Sequence, residues 1–142
     1  MSGGAEGRRL NFNDHTDTVP VVEGWETDPI TPVERDGRLY GLCSYDIKAG
    51  IACTLNALRA FAESGHAFWG ELSFSRVIDE ESHSRGSRVI LKTDYGITDA
   101  NVFAGEGGIP CLHLGPQRGG AQQKNEYVPL DWLPPSPRCT SS

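Results

Sequence analysis

Three short stretches concentrate the groups in this chain that can do chemistry: His15 with Asp17, Asp46 between Gly41 and Gly50, and the run Asp79, Glu80, Glu81. Imidazole nitrogens and carboxylate oxygens are the donors that hold a divalent cation such as zinc. Each stretch falls where the local pattern has a strand ending or a helix beginning. In open α/β sheets ligands collect outside the carboxyl ends of the strands, so residues far apart in the chain can converge there on one ion. His15 and Asp17 are two residues apart on extended chain and point the same way, so the carboxylate can orient the ring. Three consecutive carboxylates repel one another unless a cation or solvent relieves them. Taken singly, each stretch also has an ordinary reading. His15 can be a loop histidine bonded to a nearby carboxylate, Asp46 a helix N-cap, and the acidic run a solvated turn capping the next helix.

The elements that must position these groups read, in order, as strand, long loop, helix, strand, two short helices, strand and loop. Leu10 and Phe12 alternate over Arg9 to Asn13, giving a strand that feeds His15. Val21 to Leu42 carries Gly24, Pro29, Pro32, Gly37 and Gly41 and reads as a surface excursion. Ile51, Leu55, Leu58 and Ala62 lie at helical spacing within Ile47 to Ser64, and Gly65 closes that helix. From Glu71 to Ile78, Leu72, Phe74 and Ile78 share one face of a strand that Arg76 interrupts, a costly residue to bury unpaired. His113 falls in a further strand and is assigned to the core. Residues 1–8 and 134–142 read as flexible ends around one domain spanning 9–133.

Composition narrows the partners. Leu, Ile, Val and Phe supply 31 of 142 residues, just above the roughly 20% below which disorder is the better expectation, so the core should be thin. A net charge of −6 argues against nucleic acid, whose phosphates need clustered Lys and Arg, and favours cations. Cys43, Cys53, Cys111 and Cys139 form no Cys-x-x-Cys pair, and there is neither a signal-type segment nor a membrane-length apolar run. These features are expected of a reduced, cytoplasmic protein without a membrane partner.

Asn13 to Pro20, Gly41 to Gly50, and Val77 to Glu81 followed by Gly86 resemble, in order and spacing, the metallopeptidase M-twenty family. That family comprises aminoacylases, acetylornithine deacetylase, succinyl-diaminopimelate desuccinylase and carboxypeptidase G. Thr98 to Phe103, Gly108 to Pro110, Leu114 to Pro116 and Asn125 to Val128 are similar to its C-terminal block, so the first-half motifs within 9–92 join that block at 97–133. The resemblance implies an α/β fold, a mixed sheet between helices in a zinc-peptidase-like three-layer sandwich. It also implies hydrolysis of an amide bond in an N-acyl amino acid or small peptide at one or two zinc ions, with cobalt or manganese as alternatives. His15 would bind one zinc, Asp46 would bridge both, and Glu81 would bind the other. Glu80 would be the general base on the metal-held water, and Asp17 the partner that orients His15. In relatives the bridging Asp is often followed by a cis peptide, here the Asp46 to Ile47 bond.

Departures from the family pattern imply an impaired enzyme. The histidine ligand expected three residues before Asn125 is replaced by Gln122, a poor zinc ligand beside an imidazole. Because Ser87 to Gly96 leads straight into the C-terminal block, a further acidic ligand and the lid domain that carries the family's dimer interface are expected to be missing; Glu106 is the nearby carboxylate that could substitute, though it reads first as an exposed turn residue. The first strand and helix of the family domain are expected to be missing as well. Two functions therefore stand: a minimal zinc hydrolase of deacylase or desuccinylase type, and a catalytically silent remnant that binds a cation weakly or serves as a scaffold.

Overall fold

The computed structural model describes residues 1, 3–82, 104, 105, 108–111 and 120–134. Strand β1 (Gly4–His15) lies parallel to β4 (Trp69–Val77), in a register that sets Leu10 against Leu72, Phe12 against Phe74 and His15 against Val77. Two parallel strands need a crossover, and helix α1 (Gly50–Ser64) supplies it. Because the strands run together, their carboxyl ends open at one place, and Thr16 N–H bonds Val77 O there at 2.9 Å.

The second sheet is antiparallel. A hairpin of β2 (Val33–Arg35) and β3 (Arg38–Tyr40) turns at Asp36 and Gly37, with φ of 52° and 69°. Consecutive positive φ values are what a two-residue hairpin turn requires, and Asp followed by Gly meets that demand. Strand β5 (Tyr127–Pro129) adds to β3, pairing Leu39 with Val128 and Tyr40 with Tyr127. This brings the C-terminal block beside the turn that leads into α1.

Helix α1 begins and ends at glycines for different reasons. A Cβ on Gly50 would meet Ile47 Cγ1 at 2.8 Å, so the chain enters the helix too tightly for any side chain. Gly65 takes φ of 67°, the left-handed residue that stops a helix. No residue of α1 is buried, and Leu55 is 42% exposed, so its apolar stripe is only partly covered among the described residues. The buried apolar core there is Tyr40, Cys43, Ala49, Val77 and Val128. A cavity of about 490 Å³ lined by Leu39, Leu42, Ala49, Ala52 and Val128 separates the hairpin sheet from α1. Among the described residues the core is thin, in line with the composition.

Several expectations need correction. β1 starts at Gly4 rather than Arg9, because its backbone groups find a partner strand at Trp69, across a register irregularity between Gly4 and Arg9. The excursion over Val21 to Leu42 contains β2 and β3. On β4 the buried residue is Val77, while Ile78 lies past the strand end at 65% exposure. Arg76 points to solvent, which removes the cost of burying it. Among the described residues the strands form two sheets, one parallel and one antiparallel, with one α-helix, a mixed α/β arrangement. The two short helices after β4, the strand holding His113, Glu106 and the tail 135–142 lie outside the described residues.

Candidate metal centre

His15 ends β1 and is 5% exposed. Its Nε2 lies 3.3 Å from Asp46 Oδ1 and 3.7 Å from Glu80 Oε2. On the other side of the ring, Nδ1 lies 3.2 Å from the Asp17 backbone oxygen and 3.5 Å from Asp17 Oδ1. Asp17 also reaches β4's end, where its Oδ2 accepts the Glu81 N–H at 3.1 Å. One carboxylate thus ties the exits of both parallel strands together.

Asp46 does not act as a helix cap. It sits in an irregular turn, Ser44–Ala49, with φ of −109° and ψ of 90°, and the first residues of α1 receive no side-chain cap. Its carboxylate goes to His15 instead. The Asp46 to Ile47 peptide is cis, as the family resemblance implies. On the far side of the turn Glu126, which is 0% exposed, accepts N–H bonds from Cys43 at 3.1 Å, Tyr45 at 3.0 Å and Asp46 at 2.9 Å.

A nitrogen of His15 and one oxygen each from Glu80 and Glu81 lie within 4.8 Å of one another, close enough to share an ion. Asp46 borders this set through its contact with His15. Glu81 Oε1 is buried without a hydrogen-bond partner. Burial, with the charges of Asp46, Glu80 and Asp17, pushes the Glu81 carboxyl up to about 7 against the pull of His15. For His15, burial opposes the charged form, but the bond to Asp46 and the fields of Glu80, Asp46 and Glu81 outweigh it and raise the ring to about 9. The proton on His15 therefore stands where a cation would balance the carboxylates. Burial holds the Cys43 thiol at about 11, so it offers no thiolate. The donor set of one imidazole and several carboxylates fits a divalent ion.

The structure thus brings together His15, Asp17, Asp46, Glu80 and Glu81. It also brings Gln122, whose amide nitrogen donates to Glu81 Oε2 at 2.8 Å. Glu126 falls within the motif stretch Asn125 to Val128, which by itself implies no role for it. The available signal was a carboxylate directly before a strand whose Val128 is fully buried.

The chain belongs to the peptidase family M20/M25/M40, whose sequence model matches residues 12–96. This is a family of metal-dependent amide hydrolases. Curated relatives carry the name succinyl-diaminopimelate desuccinylase. That of Cupriavidus pinatubonensis is 41% identical over 80 residues, covering 55% of this chain and 21% of the relative. That of Nitratiruptor is 38% identical over 88 residues, 61% of this chain and 23% of the relative. That of Bordetella avium is 34% identical over 119 residues, 76% of this chain and 32% of the relative. The chain thus spans between about a fifth and a third of the length of these relatives. Among the described residues no helix is long and apolar enough to cross a membrane.

Proposed function

We propose that this chain carries the cation-binding core of a zinc-dependent hydrolase that cleaves the amide bond of N-acyl amino acids or small peptides. The type is deacylase, desuccinylase or carboxypeptidase, working in the cytoplasm on a family three-layer sandwich. The observation that carries this reading is the convergence of His15, Asp46, Glu80 and Glu81 at the joined exits of β1 and β4. His15, Asp46 and Glu81 would hold the ion, with cobalt or manganese able to replace zinc. A bound divalent ion lowers the pKa of water to about 7 and polarises the scissile carbonyl. Glu80, whose Oε2 lies 3.7 Å from His15 Nε2, would take the proton of the attacking water and return it to the departing amine. Asp17 holds the His15 ring in orientation through Nδ1 and fixes the Glu81 backbone at the same time.

One observation favours a second reading, that of a silent domain that binds a cation weakly or serves as a scaffold. Gln122 places a neutral amide donor on Glu81 Oε2, which competes with an ion for that oxygen, where a further strong donor would tighten binding. Incubating the purified chain with N-succinyl and N-acetyl amino acids and a dipeptide, with zinc, separates the two. Amine release that stops on adding a chelator supports the hydrolase. Zinc binding without amine release supports the silent domain.

A further inference from the structure

Glu126 is a fully buried carboxyl group whose oxygens bond no candidate ligand's side chain, yet they hold the backbone that carries one of them. Its two oxygens accept the N–H groups of Cys43, Tyr45 and Asp46, and its own carbonyl accepts the Gly41 N–H at 3.1 Å. Cys43 takes φ of 59° and ψ of 21°, and this left-handed residue curls the following amides toward one point. Successive amides arranged this way form a concave anion site, and here the anion comes from the C-terminal block. Asn125, also left-handed at φ of 58°, locks the same dipeptide on its outer side, accepting the Glu26 N–H at 3.0 Å.

We propose that Glu126 is a positioning residue for the metal centre. By satisfying three amides of the turn from Cys43 to Asp46, it fixes the Asp46 carboxylate toward His15. A backbone so bonded cannot rotate Asp46 away without leaving the fully buried Glu126 oxygens short of their donors. The inference rests on the metal-centre reading of the site, and the C-terminal block then contributes to it through Glu126 even though Gln122 is no strong ligand.

The test compares zinc affinity by calorimetric titration in the 142-residue chain, Glu126→Gln and Val128→Ala. Glu126→Gln keeps the size but turns an N–H donor toward the turn's own N–H groups, and should weaken zinc binding about 10- to 100-fold, as loss of a group supporting a ligand does. Val128→Ala, also fully buried and two residues away, should lower melting temperature but leave affinity unchanged. Glu126→Asp, which keeps the charge, should recover part of the loss. Equal affinity losses in Glu126→Gln and Val128→Ala, or none in Glu126→Gln, would overturn the proposal. Amide hydrogen exchange of the metal-free chain gives an arm that needs neither zinc nor a folded variant. Cys43, Tyr45 and Asp46 amides should exchange as slowly as the β3 to β5 ladder, and rapid exchange there overturns the clamp. If the unaltered chain binds no zinc but these amides are protected, the metal-centre reading fails while the clamp stands.

Discussion

Gln122 and Glu81 lie 41 residues apart in sequence and meet through a 2.8 Å hydrogen bond, the amide nitrogen donating to Oε2. The C-terminal block therefore reaches the cluster at the exits of β1 and β4. A donor N–H on a carboxylate oxygen competes with a cation for the same lone pair. Gln122→His would replace that donor with an imidazole able to bind the ion alongside Glu81 and Asp46. Zinc should bind at least tenfold more tightly, and saturating zinc should then add about 1.4 kcal/mol per tenfold to stability, since the ion binds only the folded chain. Titration and melting of both forms with zinc measure this. Turnover should rise little, because groups that would position substrate are not added. Equal affinity in the two forms would mean that residue 122 does not face the ion.

Glu80 and Glu81 are adjacent, and each brings a carboxylate oxygen into the same group with His15. Glu80 Oε2 is close enough to His15 Nε2 to act as a ligand itself, at 3.7 Å, so geometry alone allows it two uses. If it serves as base, Glu80→Gln abolishes amide hydrolysis and leaves zinc affinity nearly unchanged, whereas Glu81→Gln weakens zinc binding. Equal affinity losses in the two variants would make Glu80 a ligand. This comparison reads binding, so it works whether or not the chain turns over.

The site's legibility was uneven, for physical reasons. His15, Asp46 and the Glu80–Glu81 pair could be read because strand exits and helix starts leave local marks, and because Ile51, Leu55 and Leu58 with Gly65 mark α1. The Asp36–Gly37 hairpin also had a local signal, hidden by the prolines and glycines around it. Ile78 was expected on the face of Leu72 and Phe74, but β4 ends at Val77 and Ile78 leaves that face. Glu126 left only a faint local mark of its role, since its side-chain bonds span 80 residues or more. The Asp17 link from His15 to the Glu81 backbone crosses 64 residues and was half seen.

The two shifted groups predict a pH dependence with one sign. His15 at about 9 and Glu81 at about 7 both sit above their ordinary values, so the folded metal-free chain holds more protons than the unfolded one. Its stability therefore falls as pH rises. The Glu81 part fades between the ordinary carboxylate range and about 7, and the His15 part, complete below the ordinary histidine value, fades as pH passes about 9. Zinc must displace these protons, so its affinity rises over the same range. Melting of the metal-free chain with calorimetric zinc titration from about pH 6 to about pH 8 measures both trends. Metal-free stability that increases with pH would mean that His15 does not carry the proton.

The central claim is that the joined exits of β1 and β4 form one cation site. Its direct test is zinc stoichiometry by calorimetric titration of the folded chain beside His15→Ala. One equivalent is expected, bound weakly because the Gln122 amide competes with the ion for Glu81 Oε2, and no measurable binding is expected in His15→Ala. Two tight sites, no binding at all, or binding unchanged in His15→Ala would contradict it.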